Sequence, residues 1–397
     1  MFIARKIKVK LLELSGQFRI VTLLGPRQAG KTTLCKKVFP NYAYYSLENP
    51  EHRSFAQQDP KTFLTKNSQP LIIDEIQKVP ELLSWLQGIV DENPEKKGQY
   101  ILTGSHQPLL RQSVSQSLAG RTAILTLLPL SFEELSKSAK KEVRPEFWIH
   151  KGFLPEIHSE GLNSTDSYRA YTQTYVERDV RQLIQVRDQT TFERFLKLVA
   201  GRVGQLLNQN SLASDVGVSP NTINEWLSVL ESSFIIFRAI PYHKNFGKRL
   251  VKSPKIYFND IGLATYLLGL TTPEQVSRDP LYGQLFENLV VAEILKKQLN
   301  EGHSGQIYFY RDSHGNEIDV LHPRGTKHQP IEIKSSATYN SDLIKGLKKY
   351  IKSIGEEATL PTLIYSGDTG PLPQGVNGYN FIDSNKALTN ETSHSTT

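Results

Sequence analysis

The chain has 397 residues, 38% hydrophobic and 22% charged, with a formal net charge of +7. That length exceeds one ordinary core and predicts two or three domains, while the composition excludes a disordered or fibrous chain. A single cysteine, Cys35, excludes an intramolecular disulfide and any Cys-based zinc site.

No apolar run reaches the roughly 20 residues of a membrane span. Residues 1–14 interleave Arg5, Lys6, Lys8 and Lys10 with apolar side chains, unlike a signal peptide. The expectation is a cytoplasmic protein with no membrane partner. The excess of positive charge favours an acidic partner such as nucleic acid.

Along residues 18–135 short apolar runs (19–24, 71–73, 100–102, 122–128) alternate with helical patterns. This is the pattern of an α/β domain with a parallel sheet, assigned to 1–135. Residues 136–272 are mainly helical, with strand-like runs at 234–240 and 255–258. In 273–383 a helix (281–299) precedes strands at 307–311, 317–321 and 330–334, then a helix near 342–353 and a strand near 360–365. The polar, aperiodic remainder, 384–397, reads as a disordered tail.

Gly25-Pro26-Arg27-Gln28-Ala29-Gly30-Lys31-Thr32 fits G-x-x-x-x-G-K-[ST] in full, directly after a strand pattern and before a helical run that begins with Thr33. Backbone amides of such a loop form an anion nest at a helix N-terminus. Lys31 then neutralises the outer phosphates and Thr32 takes a magnesium position. ATP and Mg²⁺ are the implied ligands. The run Leu71-Ile72-Ile73-Asp74-Glu75 is a buried strand ending in two acids, where Asp74 supports the metal and Glu75 polarises the attacking water. The next strand ends in Thr103-Gly104-Ser105, expected to place a hydroxyl beside the γ-phosphate. Arg121 is a candidate to stabilise transition-state charge, within this chain or on a neighbouring subunit.

The blocks GPRQAGKTTL, LIIDEIQKVPELL, ILTGS, SLAGR, LPLSFEEL, GFLPE and TYVERDV, in this order, resemble a family of bacterial and archaeal AAA-type ATPases. In that family the ATPase module is followed by a C-terminal region of unknown function. The resemblance implies an AAA-like core.

Residues 212–231 read as helix, glycine turn and helix, with Ser219 as cap and Pro220 opening the second helix. Ile223, Leu227 and Leu230 would face the core, and Asn221, Thr222, Asn224 and Glu225 outward. A winged helix would present those four residues to a DNA groove. The loop between the two strand runs carries Lys244, Lys248, Arg249, Lys252 and Lys255, suited to phosphate contacts as a wing. A purely structural winged helix with a solvated basic hairpin is the alternative.

Asp319 ends a strand, and Ile331-Glu332-Ile333-Lys334 forms another in which Glu332 and Lys334 share one face. An acid plus an acid-x-lysine pair can converge on a divalent ion, and Glu287 could add a carboxylate. This set, in α-β-β-β-α-β order, resembles the PD-(D/E)xK nuclease superfamily, with Ile318 where the motif's name has proline. The resemblance implies a restriction-endonuclease-like α/β fold.

The sequence therefore predicts an AAA-type P-loop core, a winged-helix segment and a nuclease-like segment: an Mg-dependent ATPase coupled to a DNA-binding and nuclease-like module, with oligomerisation open. The alternative is a nucleotide-dependent switch whose catalytically silent C-terminal domain binds DNA or a protein partner.

Overall fold

The computed structural model describes residues 2–67, 69–105, 117–135, 141–180, 188–242, 253–312 and 315–389, the side chains of 177–179 apart. The first segment is built on five strands: β1 (Ile20–Leu24), β2 (Ala43–Ser46), β3 (Leu71–Asp74), β4 (Tyr100–Gly104) and β5 (Thr122–Thr126). They pair in parallel in the order β2-β3-β4-β1-β5. Parallel neighbours require crossovers, supplied among others by the helices Lys31–Val38, Pro50–Gln58 and Leu82–Glu92. Because helices cover both faces, β1, β3 and β4 are buried throughout, which is why they read as unbroken apolar runs. The order also places β4 between β1 and β3, so the end of β4 separates the glycine loop after β1 from the acids after β3.

The middle segment is helical. Pro145–Lys151, Pro155–Ser159 and Ser164–Tyr171 lead into a π-helical stretch, Thr172–Val180. Further on, Gln209–Val216 ends at Gly217 in the left-handed conformation, and Ser219 caps Pro220–Ser232 through the Thr222 amide. Ile223, Leu227 and Leu230 are buried as expected, joined by Trp226. Asn221, Asn224 and Glu225 are exposed, and Thr222 is half-buried.

The strands β6 (Ile236–Pro241) and β7 (Lys255–Phe258) form an antiparallel hairpin. Pairing crosses the expected boundary at 272. The strand β6 also pairs in parallel with β8 (Tyr308–Arg311) through Ile240 and Pro241. The hairpin thus extends a sheet formed with β9 (Glu317–Arg324), β10 (Lys327–Lys334), β11 (Thr362–Tyr365), β12 (Gly370–Leu372) and β13 (Val376–Asn380). Its order is β12-β13-β11-β10-β9-β8-β6-β7. Within 384–389, read from the sequence as the start of a disordered tail, Ser384, Ala387 and Leu388 are buried, so packing continues past 383.

One apolar core runs through all three segments, from Ile20 and Leu102 through Trp148 and Leu227 to Phe286 and Ile364. Buried polar links reinforce it. The Lys296 ammonium, on the helix Tyr282–Asn300, donates to the Leu130 carbonyl and Glu293 accepts from the Phe132 amide, each at 2.8 Å. Burial pushes the Glu293 carboxyl up, opposed by Lys296. The Phe153 amide donates to Asp260. Buried charges persist only when partnered in this way, so the first segment is docked onto the third through specific atoms. Among the described residues no helix is long and apolar enough to cross a membrane.

Candidate functional site

The glycine loop follows β1 and turns into the helix Lys31–Val38 at the C-terminal edge of the sheet. Gly30 sits at φ +87°, a region that glycine enters without steric cost. A Cβ on Gly25 would lie 2.1 Å from the Leu127 carbonyl oxygen, so only glycine lets β1 and the chain after β5 approach there. The Lys31 ammonium is buried and donates to the Gly25 and Pro26 carbonyls at 2.9 and 2.8 Å. Burial lowers its pKa, and Glu75 and Asp74 oppose that shift.

Asp74 gathers three hydroxyls. Thr32 and Tyr44 each donate to its Oδ2 at 2.8 Å, and Thr103 donates to Oδ1. Glu75 adopts a left-handed backbone at φ +58°, receives the Ser105 hydroxyl on Oε1 at 2.6 Å and the Gln77 amide on Oε2. Thr103 and Ser105 orient the two acids. The reason is the strand order: the end of β4 lies against the end of β3.

A cleft of about 590 Å³ opens over the loop. Arg27, Gln28, Gly30, Lys31, Thr32, Thr33 and Glu75 line it, with Phe2, Ile3, Leu130 and Pro155 forming an apolar side. Gly25, Pro26 and Ala29 support the loop from behind; the Ala29 carbonyl accepts from Arg5 at 2.6 Å, and Arg5 also bonds Leu128 and pairs with Glu134. Arg27 pairs with Glu48 and lies 5.7 Å from the centre of the Tyr175 ring. The Thr32 hydroxyl and the Asp74 carboxylate are hard oxygen donors meeting at one point, which fits Mg²⁺.

Arg121 is not part of this cleft. It precedes β5, at the opposite edge of the sheet from the loop, and makes a bidentate pair with Asp91. It is placed there by chain direction, since residues before a parallel strand lie on the far side from those after it.

The second set is brought together. Lys334 lies 2.8 Å from Glu332 and 3.5 Å from Asp319, and Asp319 Oδ2 accepts from the Ile333 amide at 2.8 Å. Glu287 projects from the helix Tyr282–Asn300 into the same cluster, where its Oε1 accepts from Tyr257 at 2.5 Å. The sequence reading missed its most buried member. Lys255, grouped in the sequence with the basic residues before it, is only 2% exposed and reaches Glu287 at 2.9 Å, Glu317 at 2.5 Å and Asp319 at 3.9 Å. A signal was present, since Lys255 and Tyr257 share one face of an otherwise apolar strand. Burial and repulsion from Asp319 push Glu287 up to about 7 and Glu332 up to about 8. Burial works against the Lys255 ammonium, but the surrounding carboxylates hold its pKa above the ordinary value. Among the described residues no three acidic, histidine or cysteine side chains are grouped as a ready metal cage.

Of the candidate DNA-contacting residues, Asn221, Thr222 and Asn224 lie on one helix without a basic partner among them; the Thr222 hydroxyl is bonded to Ser219 and Asn224 to Gln209. Lys244, Lys248, Arg249 and Lys252 fall outside the described residues.

An AAA domain model matches residues 17–136, and two domains of unknown function match 144–274 (DUF8612) and 282–378 (DUF4143). The uncharacterized protein Rv2008c of Mycobacterium tuberculosis is 30% identical over 322 residues, covering 80% of this chain and 71% of its own. An uncharacterized protein of Haemophilus influenzae is 24% identical over 319 residues, covering 72% of this chain and 77% of its own. Among solved structures, the Walker-type ATPase paby2304 of Pyrococcus abyssi aligns with 67% of this chain and 96% of its own, at 15% identity and a TM-score of 0.44.

Proposed function

Because this chain belongs to the same family as the uncharacterized mycobacterial protein and carries an AAA-type P-loop domain that binds ATP, we propose that it is an Mg-dependent ATP hydrolase whose nucleotide state drives the segments docked behind it. The observation that carries this is the meeting of Thr32 with Asp74, with Glu75 next in sequence and held by Ser105 and Gln77. The amides of 25–32 and Lys31 would hold the phosphates, and Thr32 and Asp74 the magnesium. Bound there, magnesium would neutralise charge on the outer phosphates. Glu75 orients and polarises the attacking water, its carboxylate fixed by two donors. Steady-state hydrolysis with Lys31→Ala as control, with and without DNA, tests this. No hydrolysis by the wild type with ATP and Mg²⁺ would refute it.

For the downstream segments, the reading is a DNA-binding module with a PD-(D/E)xK-like phosphodiester site at Glu287, Asp319, Glu332 and Lys334. What supports it is the convergence of those four side chains in one cluster, with Asp319 and Glu332 buried. A second reading, a switch whose C-terminal domain binds DNA or a protein without cutting, is favoured by the Lys255 ammonium standing among the acids. Metal-dependent cleavage of duplex, junction and single-stranded DNA by wild type, abolished in Glu332→Ala and Lys334→Ala, would establish the first; binding without cleavage would establish the second.

A further inference from the structure

The acid cluster is assembled across two segments. Its carboxylates come from the helix Tyr282–Asn300 (Glu287), from β9 (Glu317, Asp319) and from β10 (Glu332), whereas Lys255 enters from β7. Four carboxylates thus face two ammoniums, Lys255 and Lys334, and Arg311 touches Glu317 from the solvent side. Buried charge must be balanced locally, and here acid is in excess. The shortfall has a location. Glu332 is 7% exposed, its Oε1 is held by Lys334, and its Oε2 is buried with no hydrogen-bond partner.

We infer that this cluster takes one divalent cation, at Glu332 Oε2 and Asp319, and that Lys255 takes the place of a second. Mg²⁺ and Mn²⁺ need only one or two carboxylates when the remaining positions are water, so the absence of a three-carboxylate cage does not prevent binding. With Arg311 counted against Glu317, one carboxylate is left uncompensated, and a divalent charge offsets it. Sites that cleave phosphodiesters with two ions hold them roughly 4 Å apart, each drawing on its own carboxylates. Glu287 and Glu317 are the acids left for a second ion, and the Lys255 ammonium already binds both. It is a tethered cation that cannot dissociate, and it makes the site dependent on β7. The inference rests on reading Glu287, Asp319, Glu332 and Lys334 as a phosphodiester-type site.

The test is Mn²⁺ stoichiometry in full-length Lys31→Ala protein without nucleotide, by electron paramagnetic resonance and calorimetry. With Lys255 intact, one ion per chain is expected, lost in Glu332→Gln. Adding Lys255→Met should raise the count to two, because Glu287 and Glu317 are released. Two ions with Lys255 intact, or a count that stays at one in a folded Lys255→Met protein, overturns this inference and leaves the phosphodiester reading standing. No bound ion in either protein overturns both. Should Lys255→Met fail to fold, the count with Lys255 intact decides alone.

Discussion

The Tyr44 hydroxyl donates to Asp74 Oδ2 at 2.8 Å, the same oxygen that accepts from Thr32. Tyr44 comes from β2, the edge strand beside β3, and the Lys36 ammonium lies 3.5 Å above its ring. The tyrosine therefore fixes the rotation of the carboxylate proposed to support magnesium. A hydrogen bond to a charged group is worth about 1.5–3 kcal/mol. Tyr44→Phe is expected to lower kcat/KM for ATP by roughly tenfold and to raise the Mg²⁺ concentration at half-maximal rate. A magnesium titration of ATP hydrolysis reads both, and an unchanged magnesium requirement would remove Tyr44 from the site.

Glu75→Gln keeps the shape of the acid and its contact with Ser105 but removes the charge proposed to polarise water. Nucleotide affinity should stay within about threefold while kcat falls by at least about a hundredfold. Fluorescent-nucleotide binding and single-turnover hydrolysis separate the two. Loss of both together would make Glu75 a structural residue.

Arg121→Ala should leave the kcat of dilute protein unchanged, because its guanidinium is committed to Asp91 at the edge of the sheet opposite the cleft. Hydrolysis measured across a wide protein concentration range checks this. A loss confined to high concentration would reveal a role in a neighbouring copy.

Tyr175 touches two parts of the chain at once. Its ring faces Arg27 of the glycine loop, and its hydroxyl donates to the Ser233 carbonyl at 2.9 Å, just after the helix Pro220–Ser232. Tyr175→Phe keeps the ring and deletes the second contact. ATP hydrolysis should remain within about twofold, while any ATP-dependent change in amide exchange across 220–233 is lost. Persistence of that change in the variant would show that coupling runs elsewhere.

The His158 ring stacks on Trp148 with centroids 6.1 Å apart, and its Nε2 lies 2.8 Å from the Gly152 carbonyl. Burial pushes its pKa down to about 4, with Lys151 and Lys296 adding to the effect. The folded value is below the unfolded one, so the unfolded chain takes up the proton first. The stabilising contribution is full above about pH 6.5 and is lost as the pH falls towards 4. Partial exposure limits it to about 1–2 kcal/mol. Denaturant midpoints at pH 7 and pH 5 should differ more in wild type than in His158→Gln.

The glycine loop and the acids after β3 were legible in the sequence because their requirements are local. A loop that wraps phosphate needs glycines at fixed offsets, and a buried parallel strand is a short apolar run. Glu287, Asp319, Glu332 and Lys334 were legible for a similar reason, strand alternation plus one helix. Tyr44 was not, since its role depends on which strand lies beside β3, and β2 is only half-buried. Lys255 was misread because its sequence neighbours are basic, while its spatial neighbours arrive from 287, 317 and 319. The position of Arg121 was not legible for the converse reason: a suggestive motif says nothing about which edge of the sheet it ends on.

The pairing of β6 with β8 has a consequence for how such chains can diverge. The two regions of unknown function match on either side of residue 280, as though they were separate inheritable parts. Yet an exchange at that point would uncover the edge of β8 and strip the acids of the lysine that neutralises them. Unpaired strand edges invite aggregation, and a buried carboxylate cluster deprived of its cation is strongly destabilising. Descendants should therefore trade these regions as one block, and hybrids that split them should be rare.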